Sequence, residues 1–359
     1  MNVVLMMIKL LGGLAMFLYG MEIMGDGLKQ GSGTVLKNVL GKLTQNVFLG
    51  MLTGALVTAV IQSSTATIVL TVGLIGAGIL NLRQAVSIVL GANIGTTVTA
   101  QIIRLMDIES SSGSILTFFK PDTLAPIALV LGIILVMFIK KESSKNIGAI
   151  AMGFGILFTG LMGMTDAVEP LAESEAFINI LAYFTDMPIL GIFTGLVLTV
   201  IVQSSSATVA MLQSLSATGA MDFSGIYPII MGINIGTCIV TAFYCFIGQS
   251  SKDSKRTGVV HVLFNLAGTI LFMIAMSIMQ HFNLFGYEFW HRSADQIVIA
   301  TFQSLFNIIT AIILLPFTNL LVKVSTAIVK DVKAEAHPHP ELLTLDAKLY
   351  ISPAVALNE

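Results

Sequence analysis

Two six-residue polar sequences interrupt the longest uncharged stretches of this chain. Residues 62–67 read Gln-Ser-Ser-Thr-Ala-Thr and residues 203–208 read Gln-Ser-Ser-Ser-Ala-Thr, within the charge-free windows 43–82 and 187–221. Amide and hydroxyl groups left without partners in an apolar medium are costly, so such a run indicates a function. Where the run opens a helix, free backbone N–H groups, the helix dipole and the hydroxyls all favour an anion. The predicted binding residues for a compact oxyanion are Gln62, Ser63, Ser64, Thr65, Gln203, Ser204, Ser205 and Ser206.

A second pair of polar sequences favours a cation site. Residues 91–96 read Gly-Ala-Asn-Ile-Gly-Thr and residues 232–237 read Gly-Ile-Asn-Ile-Gly-Thr. Gly and Asn near the middle of a membrane span predict an unwound turn, whose free carbonyl groups can bind a cation together with side-chain oxygens. The alternative is a glycine kink capped by the asparagine. The predicted cation ligands in these sequences are Asn93, Thr96, Asn234 and Thr237. Thr67 and Thr208, which end the two Gln-Ser-Ser sequences, are predicted to join them.

The uncharged character of these segments restricts the mechanism. No Lys, Arg, Asp or Glu occurs in residues 43–82, 84–103, 187–221 or 224–246. An anion bound there meets no formal countercharge, and a co-bound cation lowers the cost of placing it within the membrane. This favours cation-coupled transport over an anion channel. It also favours metal-ion coupling over a proton relay through buried carboxylates.

Both pairs of sequences belong to an internal repeat. An offset of 141 aligns the two Gln-Ser-Ser sequences and the two Gly-x-Asn-Ile-Gly-Thr sequences without gaps, and a weaker match at 140 aligns Gly13 and Gly20 with Gly153 and Gly160. One unit holds three further spans, and a hairpin adds either no crossing or two. The number of crossings is therefore odd, so the second unit is inverted relative to the first. Many secondary transporters have this architecture, with substrate bound at the midplane.

Composition excludes most other classes of protein. Charged residues make up 11% and apolar residues 55% of the 359 residues, and the mean hydropathy is +0.91. An average soluble domain has roughly 25% charged residues. The net charge of −2 also lacks the basic excess of a nucleic-acid-binding protein. Cys238 and Cys245 lie in an apolar stretch and are too few for a disulfide framework or a four-ligand metal site.

The predicted fold is therefore an all-α polytopic membrane protein of two inverted-topology repeats, each with a re-entrant helical hairpin and a broken transmembrane helix. The predicted segments are a first repeat over 1–122 (hairpin 46–80, broken helix 83–104), a transmembrane helix over 123–143 that completes it, a second repeat over 144–280 (hairpin 188–221, broken helix 224–247), a last transmembrane helix over 296–325 and a cytoplasmic tail over 326–359.

The distribution of basic residues predicts which side of the membrane is which. Under the topology that the odd count requires, every lysine and arginine falls on one side except Lys9, Arg104, Lys120 and Arg292. Because short cytoplasmic loops carry an excess of Lys and Arg, this side is the cytoplasm. The N-terminus is then outside and the C-terminus inside.

The paired motifs, at this spacing, resemble those of the sodium–phosphate cotransporter family, which comprises the type II epithelial transporters and their bacterial relatives. The resemblance covers about residues 5–325 and includes every repeated motif. It implies sodium-coupled uptake of inorganic phosphate, with phosphate at Gln62 to Thr65 and Gln203 to Ser206 and with sodium as the cation. The long extracellular loop of the animal members is missing, which implies a bacterial protein of the cytoplasmic membrane.

The end of the chain carries a second resemblance. Many bacterial members of the family continue into a cytoplasmic helical domain that is similar to the phosphate-regulatory protein PhoU. Residues 345–357 resemble the start of that domain. The tail is therefore expected to be either the truncated start of a PhoU-like domain or the remnant in a member that has lost this domain.

Several functions remain to be distinguished. Besides a sodium–phosphate transporter, the same architecture could carry another oxyanion or a dicarboxylate, or the chain could be a channel or a phosphate sensor. An enzyme is not expected, since no motif pairs a nucleophile with a base. The expected partners are inorganic phosphate, sodium ions and the lipid bilayer, without nucleic acid, and a dimer is left open. No cofactor is expected other than the co-transported Na⁺.

Overall fold

The structure is a computed structural model and describes residues 3–43, 46–76, 79–104, 121–171, 187–219, 221–246 and 251–330. Within these ranges every regular element is helical, apart from one isolated antiparallel bridge between Asp222 and Ser293. The last 29 residues of the predicted tail, 331–359, including the PhoU-like stretch, lie outside the described residues. The helices are α1 (Val3–Leu43), α2 (Val47–Ile61), α3 (Ser64–Gly76), α4 (Leu82–Ile103), α5 (Pro121–Met137), α6 (Glu142–Val168), α7 (Pro188–Val202), α8 (Ser205–Ser216), α9 (Phe223–Phe246), α10 (Lys252–His281), α11 (Tyr287–His291), α12 (Gln296–Leu314) and α13 (Thr318–Ile328).

Six of the described helical segments are long and apolar enough to cross a membrane. They are Val4–Gln30, Leu82–Ile103, Glu142–Val168, Phe223–Phe246, Lys252–His281 and Gln296–Ile328. Large apolar side chains such as Ile189 and Phe193 are exposed on the outer surface, as expected for helices that face lipid. The prediction of an all-α polytopic membrane protein is confirmed. The predicted span over 123–143 corresponds to α5, a shorter apolar helix of 17 residues.

Two pairs of short helices flank the Gln-Ser-Ser sequences. α2 and α7 have 15 residues each, and α3 and α8 have 13 and 12. At a rise of about 1.5 Å per residue the longest reaches only about 22 Å, which is less than the roughly 30 Å of a hydrocarbon core. None of these four helices is therefore long enough to cross the membrane alone.

Glycines bring α1 and α6 into close antiparallel contact. A Cβ atom added to one of the glycines at this contact would lie 2.6–2.8 Å from a backbone carbonyl oxygen of the other helix, as is true of Gly13, Gly20 and Gly27 on α1 and of Gly153 and Gly160 on α6. Small residues at such positions let membrane helices pack backbone to backbone. The two helices are antiparallel, because residue numbers increase along α1 while those of the contacting residues decrease along α6: Gly13 contacts Gly160, Gly20 contacts Gly153 and Gly27 contacts Asn146.

The predicted breaks in α4 and α9 are wrong, because both helices are continuous through the Gly-x-Asn-Ile-Gly-Thr sequences. Their glycines serve close packing instead: a Cβ on Gly91 would overlap the carbonyl oxygen of Met51 on α2, and one on Gly232 would overlap that of Ile192 on α7. The asparagine side chains bond within the helix. Asn93 Nδ2 donates to the Val89 carbonyl and Asn234 Nδ2 to the Ile230 carbonyl, both at 2.9 Å.

A buried glutamine fixes the far end of α8 against two other helices. Gln213 is fully buried, and its Nε2 donates to the carbonyl groups of Ala100 at the end of α4 and Gln296 at the start of α12. One turn later, Ser216 Oγ donates to the Ala294 carbonyl. The second pair of short helices is thus anchored at the end opposite its Gln-Ser-Ser sequence.

The close approach of α2 and α4 makes a prediction about stability. Gly91→Ala places a methyl group where the Met51 carbonyl lies, so the two backbones must separate, at a cost of about 1–3 kcal/mol. The matched control is Gly73→Ala on α3, where an added Cβ meets open space. We expect the purified Gly91→Ala protein to have a lower apparent melting temperature in detergent and the Gly73→Ala protein to match or exceed the unchanged chain. Equal melting temperatures for the two variants would contradict the packing described.

Candidate functional site

The two Gln-Ser-Ser sequences adopt the same backbone conformation. Gln62 ends α2 in the left-handed region at φ +59°, and Gln203 ends α7 there at φ +56°. Each glutamine N–H bonds back into its own helix, to the carbonyl of Thr58 or Thr199. A non-glycine residue in this region is uncommon, and here it reverses the chain so that the next helix can begin two residues later.

Each tip is therefore followed directly by the N-terminus of a helix, α3 or α8. Ser63 Oγ accepts a hydrogen bond of 3.2 Å from Ala66 N, and Ser204 Oγ accepts one of 3.3 Å from Ala207 N. Four N–H groups lack intrahelical partners at a helix start, and the serine takes up one of them. The others, with about half a positive charge from each helix dipole, are available to an anion.

A single cavity of about 370 Å³ lies between the two tips. This volume is ample for a small tetrahedral anion together with a cation or water. All eight residues predicted to bind the oxyanion line it: Gln62, Ser63, Ser64, Thr65, Gln203, Ser204, Ser205 and Ser206. The structure thus brings together two sequences that are 141 residues apart.

The tip serines and glutamines differ in their exposure. Ser64, Ser205 and Ser206 are buried, at 5–8% exposed, while still reaching the cavity. Gln62 is buried as well, whereas Gln203 is exposed. The first glutamine is therefore enclosed by the protein, whereas the second reaches the protein surface.

Among the described residues that line the cavity, none carries a formal charge. Its donors are hydroxyl groups, amides and backbone N–H groups, which together with two helix dipoles can orient an anion. The two dipoles offset about one elementary charge at most. A bound cation would reduce the remaining cost of burying the anion.

The predicted cation ligands are only partly brought to the cavity. Thr237 lines it and donates to the Ile233 carbonyl. Thr67 and Thr208 lie one helical turn beyond the tips, and each donates to the carbonyl of its own tip, Ser63 or Ser204. The remaining three predicted ligands lie on α4 and α9 away from the lining: Asn93, Thr96 and Asn234.

Asn93 contacts the neighbouring helix α10 rather than the cavity. Its Oδ1 lies 3.1 Å from His261 Nε2 and accepts a hydrogen bond of 3.3 Å from Asn265 Nδ2. All three side chains are buried. This cluster joins α4 to α10, so the amide oxygen of Asn93 is engaged in helix packing.

Sequence reasoning missed several residues at the site. Met21, Val240 and Tyr244 line the cavity, and Thr241 Oγ1 on α9 pairs with Thr65 Oγ1 of the first tip at 3.1 Å. Thr199 also lines it and has Thr58 as its repeat equivalent. Spacing along α9 could have found Val240 and Tyr244, since they follow Thr237 by three and seven residues and share its helix face.

Comparison with known proteins finds several similar sequences. "Uncharacterized protein YqeW" of Bacillus subtilis is 27% identical over 85% of this chain and 92% of its own length. "Putative inorganic phosphate export protein YjbB" of Escherichia coli is 24% identical over 98% of this chain and 61% of its own length. This chain thus spans about three fifths of the YjbB sequence. "Sodium-dependent phosphate transport protein 2B" of Homo sapiens is 32% identical over 30% of this chain and 16% of its own length.

No solved structure gives a significant match. The family model described as Na+/Pi-cotransporter matches the chain twice in succession, over residues 16–166 and 160–312. The two matches together cover most of the chain and contain both Gln-Ser-Ser tips and both Gly-x-Asn-Ile-Gly-Thr sequences. This chain therefore belongs to the Na+/Pi-cotransporter family, which is a family of transporters and not of enzymes.

Proposed function

We propose that this chain is a sodium-coupled secondary active transporter that carries inorganic phosphate across the bacterial cytoplasmic membrane. The observation that carries the proposal is the cavity shared by the two Gln-Ser-Ser tips, which offers many hydrogen-bond donors and no charged side chain among the described residues. One phosphate ion contacts both tips. Sodium binds beside it and offsets the charge that the two helix dipoles leave.

The sodium ion binds next to the tips. Of the predicted ligands, Thr237 is the one that the cavity position supports best, with Thr67 and Thr208 one turn away. Because α4 and α9 are continuous helices, their backbone carbonyl groups accept hydrogen bonds within the helix and are not proposed as sodium ligands. Hydroxyl and carbonyl oxygens at the tips are the kind of hard ligand that suits a hard cation.

Access alternates between the two sides of the membrane through two inverted repeats. The antiparallel contact of α1 with α6 supports the inversion, since Gly13 meets Gly160 and its repeat equivalent Gly153 meets Gly20. A two-fold axis in the membrane plane would produce this reciprocal pair of contacts. The family model's two successive matches and the short arms beside each tip also support two repeats with re-entrant hairpins.

The described conformation opens towards the cytoplasm in this scheme. Tyr244 lines the cavity and is itself exposed, and it lies two residues before the end of α9. The basic residues that follow α9 belong to the predicted cytoplasmic side. An inward sodium gradient would then drive phosphate import. The YjbB relatives carry the word export in their names, so the direction of coupled transport is part of the test.

The transport proposal predicts sodium-dependent accumulation. Purified chain in liposomes should concentrate radiolabelled phosphate against its own gradient when sodium is high outside, because sodium entry supplies the free energy. Potassium in place of sodium should abolish accumulation. Phosphate that only equilibrates would indicate a channel, and accumulation driven by an outward sodium gradient would indicate coupled export. Stronger competition by sulfate or a dicarboxylate than by unlabelled phosphate would indicate a different substrate.

The two tips should contribute separately to one phosphate site. Ser64→Ala or Ser205→Ala removes a buried hydroxyl from the cavity, and a hydrogen bond to a charged group contributes about 1.5–3 kcal/mol. We expect the apparent KM for phosphate to rise roughly ten-fold or more in each variant.

The matched control for both serine variants is Ser87→Ala. Ser87 is also buried in a membrane helix, but its Oγ donates to the Gln84 carbonyl away from the cavity. Its KM for phosphate should stay unchanged. If both tip variants fold and transport with the KM of the unchanged chain, the tips are not the phosphate site.

A further inference from the structure

The two equivalent tip glutamines are held differently. Gln62 Nε2 donates to the Ala59 carbonyl, and its Oε1 accepts a hydrogen bond of 2.8 Å from Thr99 Oγ1. Gln203 Oε1 lies 3.5 Å from Tyr244 Oη, which is at the outer limit of a hydrogen bond. The amide of the first tip is therefore fixed, and the amide of the second is held loosely.

The repeat register explains the difference. At the offset of 141, the equivalent of Thr99 on α9 is Val240, which has no hydroxyl group. One helical turn further, Tyr244 supplies a hydroxyl, and its own equivalent on α4 is the fully buried Ile103. Val240 and Tyr244 both line the cavity. In the second half the hydroxyl donor therefore lies one helical turn further along the helix, on the exposed side chain of Tyr244.

The orientation of these amides matters for an anion. A glutamine amide carries hydrogen-bond donors at Nε2 and an acceptor at Oε1, and only the donor end stabilises negative charge. A hydroxyl that donates to Oε1 fixes the acceptor end and leaves Nε2 to donate elsewhere. In Gln62, Thr99 donates to Oε1 and Nε2 donates to the Ala59 carbonyl.

We propose that Tyr244 is the positioning residue for Gln203. When the second tip closes on phosphate, the Tyr244 hydroxyl donates to Gln203 Oε1 and turns Gln203 Nε2 towards the anion. This inference rests on the proposed function of the tips. In this structure Tyr244 is 46% exposed, and its Oη lies 3.5 Å from Gln203 Oε1. On closure this distance must shorten to about 2.8 Å, the usual length of such a hydrogen bond. Orientation of the second amide is thereby coupled to sealing of the cavity.

The test begins with Tyr244→Phe, which removes the hydroxyl and keeps the ring. We expect the apparent KM for phosphate in sodium-driven liposome uptake to rise about 2- to 10-fold, the effect of one hydrogen bond between neutral groups. The uptake rate at saturating phosphate should change less. The matched control is Tyr19→Phe, since Tyr19 is also exposed but does not line the cavity. Its KM should not change.

A rescue experiment separates positioning from packing of the ring. Adding Val240→Thr to Tyr244→Phe restores a hydroxyl at the position equivalent to Thr99. The KM should return towards the value of the unchanged chain, whereas a defect in ring packing would persist. Val240→Ser provides the same hydroxyl if the threonine variant does not yield folded protein, as judged by its melting temperature.

Either of two results would overturn the inference: an unchanged KM in folded Tyr244→Phe protein, or a raised KM that neither hydroxyl at position 240 lowers. Ser205→Ala in the same assay tells this failure apart from failure of the proposed function. If Ser205→Ala raises the KM while Tyr244→Phe does not, the phosphate site stands and the role of Tyr244 falls. If neither variant changes the KM, both proposals fall.

Discussion

A helix that ends inside a membrane leaves backbone N–H and carbonyl groups that lipid cannot satisfy, and this constraint organises the molecule. Here α2 and α7 end at left-handed glutamines, and the chain reverses into α3 and α8. Side-chain caps at Ser63 and Ser204 satisfy one N–H group of each new helix. The tips at which these helices begin line one shared cavity, so the polar backbone that is costly in hydrocarbon lies beside the site that we propose for phosphate.

Holding these tips at one cavity requires supporting helices that approach them closely. Glycines meet this requirement along α4 and α9, where Gly91 and Gly232 contact the backbones of the adjacent tip helices, and along the seam between α1 and α6. Polar contacts add direction: Thr241 pairs with Thr65 of the opposite half, and Gln213 anchors the far end of α8. The cavity is thus held by close packing between helices, and the described residues that line it carry no formal charge.

The helical membrane class and the meeting of the two Gln-Ser-Ser sequences could be predicted from sequence, because a polar run repeated within uncharged stretches is costly in a membrane unless its groups serve a common site. The continuous course of α4 and α9 could not. A glycine beside an asparagine is compatible with a break or with close packing, and the partner backbone of Met51 or Ile192 decides between them. Tyr244 was missed since its repeat equivalent is an isoleucine, so the repeat itself gives no signal for it.

We propose that both tips bind one phosphate ion together with sodium. Equilibrium binding of radiolabelled phosphate to the purified chain tests it most directly, with the number of bound ions per chain determined at high sodium and again with potassium replacing sodium. We expect one phosphate ion bound per chain, with a strongly reduced affinity when sodium is absent. Two independent phosphate sites per chain, or a single site with the same affinity in potassium, would contradict it.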